Sequence, residues 1–137
     1  MMADPVAALK RALHSAIAGD ATLAGLLGTA GLVDRPARGA ALPLIRLTEA
    51  KAADWSTGDG EGHEATLALD ALDASESAAS LDAIAEALSD LLAGDLQPAG
   101  FHVVLQTLRL SETREPRERR HRIRRLTLRV LLHSDTI

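Results

Sequence analysis

Glu64-Ala65-Thr66-Leu67-Ala68-Leu69-Asp70-Ala71-Leu72 alternates along its length, with Leu67, Leu69 and Ala71 on one face and Thr66, Ala68 and Asp70 on the other. A period of two is that of a β-strand with one face in a core. After Asp73 the period lengthens to about 3.6, because Leu81, Ile84, Leu88 and Leu91-Leu92 fall on one helical stripe. Upstream, Leu42-Pro43-Leu44-Ile45-Arg46-Leu47-Thr48 is a second extended run. Between the two lies Trp55-Ser56-Thr57-Gly58-Asp59-Gly60-Glu61-Gly62, a stretch of turn formers. A hairpin whose return strand feeds a covering helix is a two-layer α+β unit.

Working outward, Asp4-Pro5 starts a helix, since Asp accepts from free amides and Pro in the first turn loses no hydrogen bond. Val6, Leu9, Leu13 and Ile17 form its apolar stripe and Gly19 ends it. Residues 21–27 form a short helix stopped by Gly28, and Leu32-Val33 is a short edge strand before the turn at Arg35-Pro36 and Gly39. Gly94 terminates the long helix, and a turn at residues 98–100 precedes a strand over residues 101–110. Residues 123–132 form the last strand, with Leu126, Leu128, Val130 and Leu132 facing one way and Arg125, Thr127 and Arg129 the other. The order α-α-β-β-β-α-β-β predicts an α+β fold. Its mostly antiparallel sheet of four to five strands is covered on one face by a long helix and an N-terminal helix. Residues 1–137 are expected to form one domain.

The composition narrows the function. Apolar residues make up 47% of the chain, yet Trp55 and Phe101 are its only Trp, Tyr or Phe, so the core is built from Leu, Val, Ile and Ala. Small side chains bury little area each, and association between copies is a natural way to bury more. The absence of cysteine excludes disulfides and thiolate zinc sites. No run approaches the ~20 apolar residues of a membrane-spanning helix. Met1-Met2-Ala3-Asp4-Pro5 lacks the cationic start of a secretion signal, so a cytoplasmic protein without membrane partners is expected. Residues 1–100 hold six Lys/Arg against fifteen Asp/Glu, a formal −9, whereas residues 101–137 hold nine Arg against four acids, a formal +5. Opposed charge on one small domain suits contact between copies or docking of unlike partners.

No catalytic, cofactor or metal set emerges. The five histidines are scattered, with no pair at the i, i+4 spacing of a helical metal site. There is no G-x-S-x-G elbow. The Asp70 and Asp73 carboxylates near a strand end read as solvated. The Gly-rich tip lies between strands rather than before a helix and carries Asp59 and Glu61, which repel phosphate. Trp55 beside it either caps the sheet or anchors an interface.

Seven Arg in twelve residues are the strongest local signal: Arg114, Arg117, Arg119, Arg120, Arg122, Arg124 and Arg125. Such a cluster neutralises phosphates or clamps carboxylates of a protein partner. Glu112, Glu115 and Glu118 partly neutralise it, and without aromatic residues between the arginines it does not suit a single-strand binder. Three readings follow: a solvated hairpin, a contact to an acidic protein surface, or a nucleic-acid-binding module using residues 114–125.

The order of short motifs resembles a known family. Asp20-Ala21-Thr22-Leu23-Ala24-Gly25-Leu26-Leu27-Gly28 is followed by Ala41-Leu42-Pro43-Leu44-Ile45, then by Asp54-Trp55-Ser56-Thr57 and Gly60-Glu61-Gly62 ahead of a strand. Ser75-Glu76-Ser77-Ala78 then opens the helix, and an Arg-bearing strand closes the chain. This is similar to the tail-completion or tail terminator proteins of long-tailed phages (DUF3168-type), and the Ala/Arg-rich composition resembles the version in gene transfer agents. The resemblance implies a structural virion protein with no catalytic residues and no cofactor. It implies a hexameric ring on the tail tube, joined to a neck or stopper protein, with DNA only a transient passenger in the lumen. Assembly in the cytoplasm and residence at the tail–neck junction follow. Trp55, Asp59, Glu61, Arg114, Arg117, Arg119, Arg120, Arg122 and Arg124 are the candidate interface residues, with the acidic region 49–76 of one copy meeting the Arg-rich hairpin of the next.

Overall fold

The chain runs α1 (Pro5–Ala18), α2 (Ala21–Leu26), β1 (Leu32–Val33), β2 (Leu44–Asp54), β3 (Gly62–Asp73), α3 (Ala79–Leu92), β4 (Phe101–Arg114) and β5 (Arg122–Ser134). This is a computed structural model, and it describes residues 4–35, 41–56, 61–73, 79–114 and 122–134. The element order is the one expected from the sequence. The strands are longer than expected, above all β2, which continues six residues past Thr48.

Local chemistry sets the helix starts. Asp4 Oδ1 accepts from the Val6 amide at 3.0 Å with Pro5 in the first turn. Asp20 Oδ1 accepts from the Leu23 amide, also at 3.0 Å. Each carboxylate satisfies an amide that no preceding turn can reach. At the other end of α3 the partner is distant in sequence. Gln106 of β4 donates from Nε2 to the carbonyls of Leu92 and Gly94 at 2.9 and 3.0 Å, and its Oε1 accepts from the Leu96 amide at 2.9 Å.

The five strands lie in the order β1-β2-β3-β5-β4. The β2–β3, β3–β5 and β5–β4 ladders are antiparallel, and only the two-residue β1 is parallel, pairing with Ile45 and Arg46. Bulges interrupt β2 between Leu47 and Glu49 and β4 between Val103 and Leu105. One face of the sheet carries Ile45, Leu67, Leu69, Leu126, Leu128 and Val130. The stripes of α1 (Leu9, Leu13, Ile17) and α3 (Leu81, Ile84, Leu88) join these in a single buried cluster, so all three helices line one side. That is the α+β layer arrangement the periodicities imply.

Two acids of β3 depart from expectation. Asp70 is 1% exposed and Asp73 is also buried, so neither is the solvated strand-end acid that its position suggested. Asp70 lies beside Arg46 on β2 and Arg125 on β5, its direct register partners on either side.

Candidate functional site

The register separates the two charged regions singled out in the sequence. Gly62 at the start of β3 is level with His133, and Asp73 at its end is level with Arg122. Eleven steps of about 3.3 Å put these rows about 36 Å apart. The described strand ends that flank the acidic tip, at Gly62, and the Arg-rich connection, at Arg122, are therefore at opposite ends of the sheet.

At the tip end, Asp54 Oδ1 accepts from both the amide and the hydroxyl of Ser56, which holds the Asp54 carboxyl below its usual pKa. The Trp55 amide donates to the Gly62 carbonyl at 2.8 Å, closing the described base of the hairpin. The Glu61 carbonyl accepts from the Ser134 amide at 3.0 Å, tying the tip to the end of β5. Trp55 packs over Gly62 yet stays 39% exposed, and Glu61 is exposed. Asp59 lies outside the described residues. Nearby, His102 and His133 face each other across β4 and β5 with ring centroids 5.1 Å apart, a juxtaposition that sequence spacing did not reveal.

At the opposite end, Arg114 and Arg122 close β4 and β5, while Arg117, Arg119 and Arg120 lie outside the described residues. Alternation along β5 sends the remaining arginines to two faces. Arg124 points to the helix side and pairs with Asp82 of α3. Arg125 and Arg129 lie on the helix-free face. Arg129 Nη2 donates to Glu64 Oε2 at 2.8 Å, and Arg125 donates to both oxygens of Asp70 at 2.7 and 3.0 Å. Arg46 Nη2 adds a third bond to Asp70 at 3.1 Å. Burial alone would raise the Asp70 pKa, but the hydrogen bonds from Arg125 and Arg46 outweigh it and hold the carboxyl below its usual value. The same bonds raise the pKa of Arg125. Much of the acid–arginine complementarity between residues 64–82 and 124–129 is thus satisfied within one chain. Arg46 is the residue the sequence reading passed over, while Asp70 reads in the sequence as a solvated acid. The signal available was an acid in the middle of an otherwise apolar return strand.

Among the described residues no group of three or more His, Asp or Glu is placed to hold a metal ion, and no helix is long and apolar enough to cross a membrane. The outstanding features are surfaces: two charged poles, two sheet edges and the exposed apolar side chains Trp55, Val104 and Leu105.

This helix-backed sheet with open edges is the fold of a virion component. It is similar to a chain in the solved virion of a native gene transfer agent (GTA) particle, with a TM-score of 0.83 and 26% identity over 96% of this chain and 100% of that one. A comparison with curated proteins gives no significant match. The family model for tail completion protein gp17 matches residues 11–132, and the chain belongs to that family. The resemblance read from the sequence is borne out. Membership makes the chain a structural component of a phage-like particle that meets other proteins of its tail or neck.

Proposed function

We propose that the chain, acting as one domain over residues 1–137, forms a hexameric ring that ends the tail tube of a gene transfer agent particle. The ring joins the tube to the head-side neck protein and leaves a channel through which DNA passes. The observation that carries this reading is the match over nearly the full length of both chains to a gene transfer agent virion component. On this reading the protein is not an enzyme and needs no cofactor. It assembles in the cytoplasm and ends at the tail–neck junction.

The separation of the poles refines the role of the candidate residues. A surface about 36 Å from another along the strands does not meet it in a side-by-side neighbour at the same height. Trp55 and Glu61 at one end, and Arg114 and Arg122 at the other, serve two unlike partners, the tail tube and the neck protein. Asp59, Arg117, Arg119 and Arg120 stand with them as interface candidates by sequence alone. Exposed Trp at one pole supplies the apolar anchor of such a contact, and bidentate arginines at the other suit carboxylates.

Solution mass at low and moderate salt, with negative-stain images, tests the reading. The expected result is a ring of about six copies with an open centre, formed by the protein alone or on adding tail tubes. A strict monomer that ignores tail tubes and binds DNA with a steep salt dependence would replace it with the nucleic-acid module.

A further inference from the structure

Both edges of the sheet are open over matching lengths. On one side β1 covers β2 only at Ile45 and Arg46, and among the described residues no strand pairs with the outer side of residues 49–54. On the other side β4 ends the sheet along its whole length. Unpaired strand edges present rows of free N–H and C=O groups, and long apolar ones invite another strand. Both edges are also regular over five residues. Residues 49–53 follow the β2 bulge, and residues 105–109 follow the β4 bulge.

The ladders place these two segments at one height. Glu49 is level with Ala68, Thr127 and Arg109; Lys51 with Thr66, Arg129 and Thr107; and Ala53 with Glu64, Leu131 and Leu105. Three successive antiparallel ladders make β4 run opposite to β2. Sliding a second copy alongside without turning it over therefore sets its β2 antiparallel to β4 of the first. The antiparallel order continues across the joint, and the helices stay on one side.

We infer that in the assembled ring residues 49–53 of one copy pair with residues 105–109 of the next, adding strand to strand around the ring. This rests on the ring reading above. The side chains support the pairing. Leu105, 46% exposed in the lone chain, comes opposite exposed Ala53, where a small partner leaves it room. Arg109, exposed, comes opposite exposed Glu49, whose carboxylate pairs with the surface Lys51 at 3.0 Å and also feels the charge of Arg125. A large apolar side chain against a small one and a cation against an anion, in one register, are what a cross-strand joint requires. The contact is heterologous, one edge meeting a different edge, which is the kind that closes into a ring.

Because the chain contains no cysteine, the joint can be locked chemically. Within one chain residues 53 and 105 are three strand spacings apart, about 14 Å, beyond the roughly 4.4–6.8 Å between Cα atoms that a disulfide spans. The double variant A53C/L105C, mixed with tail tubes and oxidised, is expected to give a ladder of linked multiples on a non-reducing gel. Each single variant should stay unlinked. R109E and E49R should each shift the solution mass from ring to monomer, and the two together should restore the ring. Dimers from L105C alone would mean that β4 meets itself, which overturns the pairing. A ring by mass that forms no links in A53C/L105C would also overturn it while leaving the ring reading intact. Absence of any ring, with or without tail tubes, would defeat both.

Discussion

Arg125 grips Asp70 with two parallel bonds, Nε to Oδ1 at 2.7 Å and Nη2 to Oδ2 at 3.0 Å, across the ladder that joins β3 to β5. Arg46 reaches the same carboxylate from β2, so three adjacent strands are clamped at one point. Replacing Asp70 with Asn leaves two guanidinium groups facing each other over a buried amide. A loss of about 3 kcal/mol is expected, read as the shift in a denaturant midpoint.

The same carboxylate predicts an acid limb. Its folded pKa is depressed, so its contribution is complete above the unfolded value near 4 and is lost as pH falls below that through the folded value. Stability of the native protein should fall as pH drops below about 4, and the D70N variant should lose less over that acid limb. Equal slopes for both proteins would show that Asp70 is not the group responsible.

Gly62 sits so close to Trp55 that a Cβ would lie 2.6 Å from the Trp55 carbonyl oxygen and 3.1 Å from the indole ring. Gly62→Ala must push the hairpin base apart and is expected to cost about 1–3 kcal/mol. Trp55 is the single tryptophan, so its fluorescence reports the displacement directly. An unchanged emission spectrum with unchanged stability would refute the packing.

Gln106 makes three hydrogen bonds with the end of α3 and the turn after it, donating two and accepting one. Gln106→Ala leaves those groups without their partner, at about 1–3 kcal/mol. Amide exchange should quicken in the last turn of α3 and at Leu96, with little change in α1. Uniform quickening throughout the chain would point to global destabilisation instead.

Reversing the charge at Arg119, Arg120 and Arg122 together should weaken ring formation or docking, and raised salt should weaken the unmodified protein in the same assay. Arg122 lies about 36 Å along the strands from Gly62, so the triple variant should affect one docking partner and spare the other. Undiminished assembly of the triple variant would remove the Arg-rich end from the interface.

Periodicity made the layers legible, because Leu9, Leu13 and Ile17, then Leu81, Ile84 and Leu88, repeat at the spacing that buries one helix face. Turn chemistry likewise located the ends of the helices at Gly19 and Gly94. The outer half of β2 was harder. Glu49-Ala50-Lys51-Ala52-Ala53-Asp54 has no apolar alternation, and its extended form comes from its ladder with β3 rather than from burial. Asp70 was misread for a related reason. Its partners lie 24 and 55 residues away, and only strand order brings Arg46 and Arg125 to either side of it. The arginines of β5 looked like one cluster in sequence, but alternation sends Arg124 to Asp82 and Arg125 to Asp70, a division that requires knowing which face the helices cover.

Gln106 also has a mechanical consequence. An edge strand is ordinarily the part of a sheet that peels most easily, one rung after another. Here, drawing β4 away from β5 must at the same time pull the glutamine off the carbonyls of Leu92 and Gly94. Load applied at the rim is therefore handed to the helix layer behind it, and tearing has to begin against two layers rather than one.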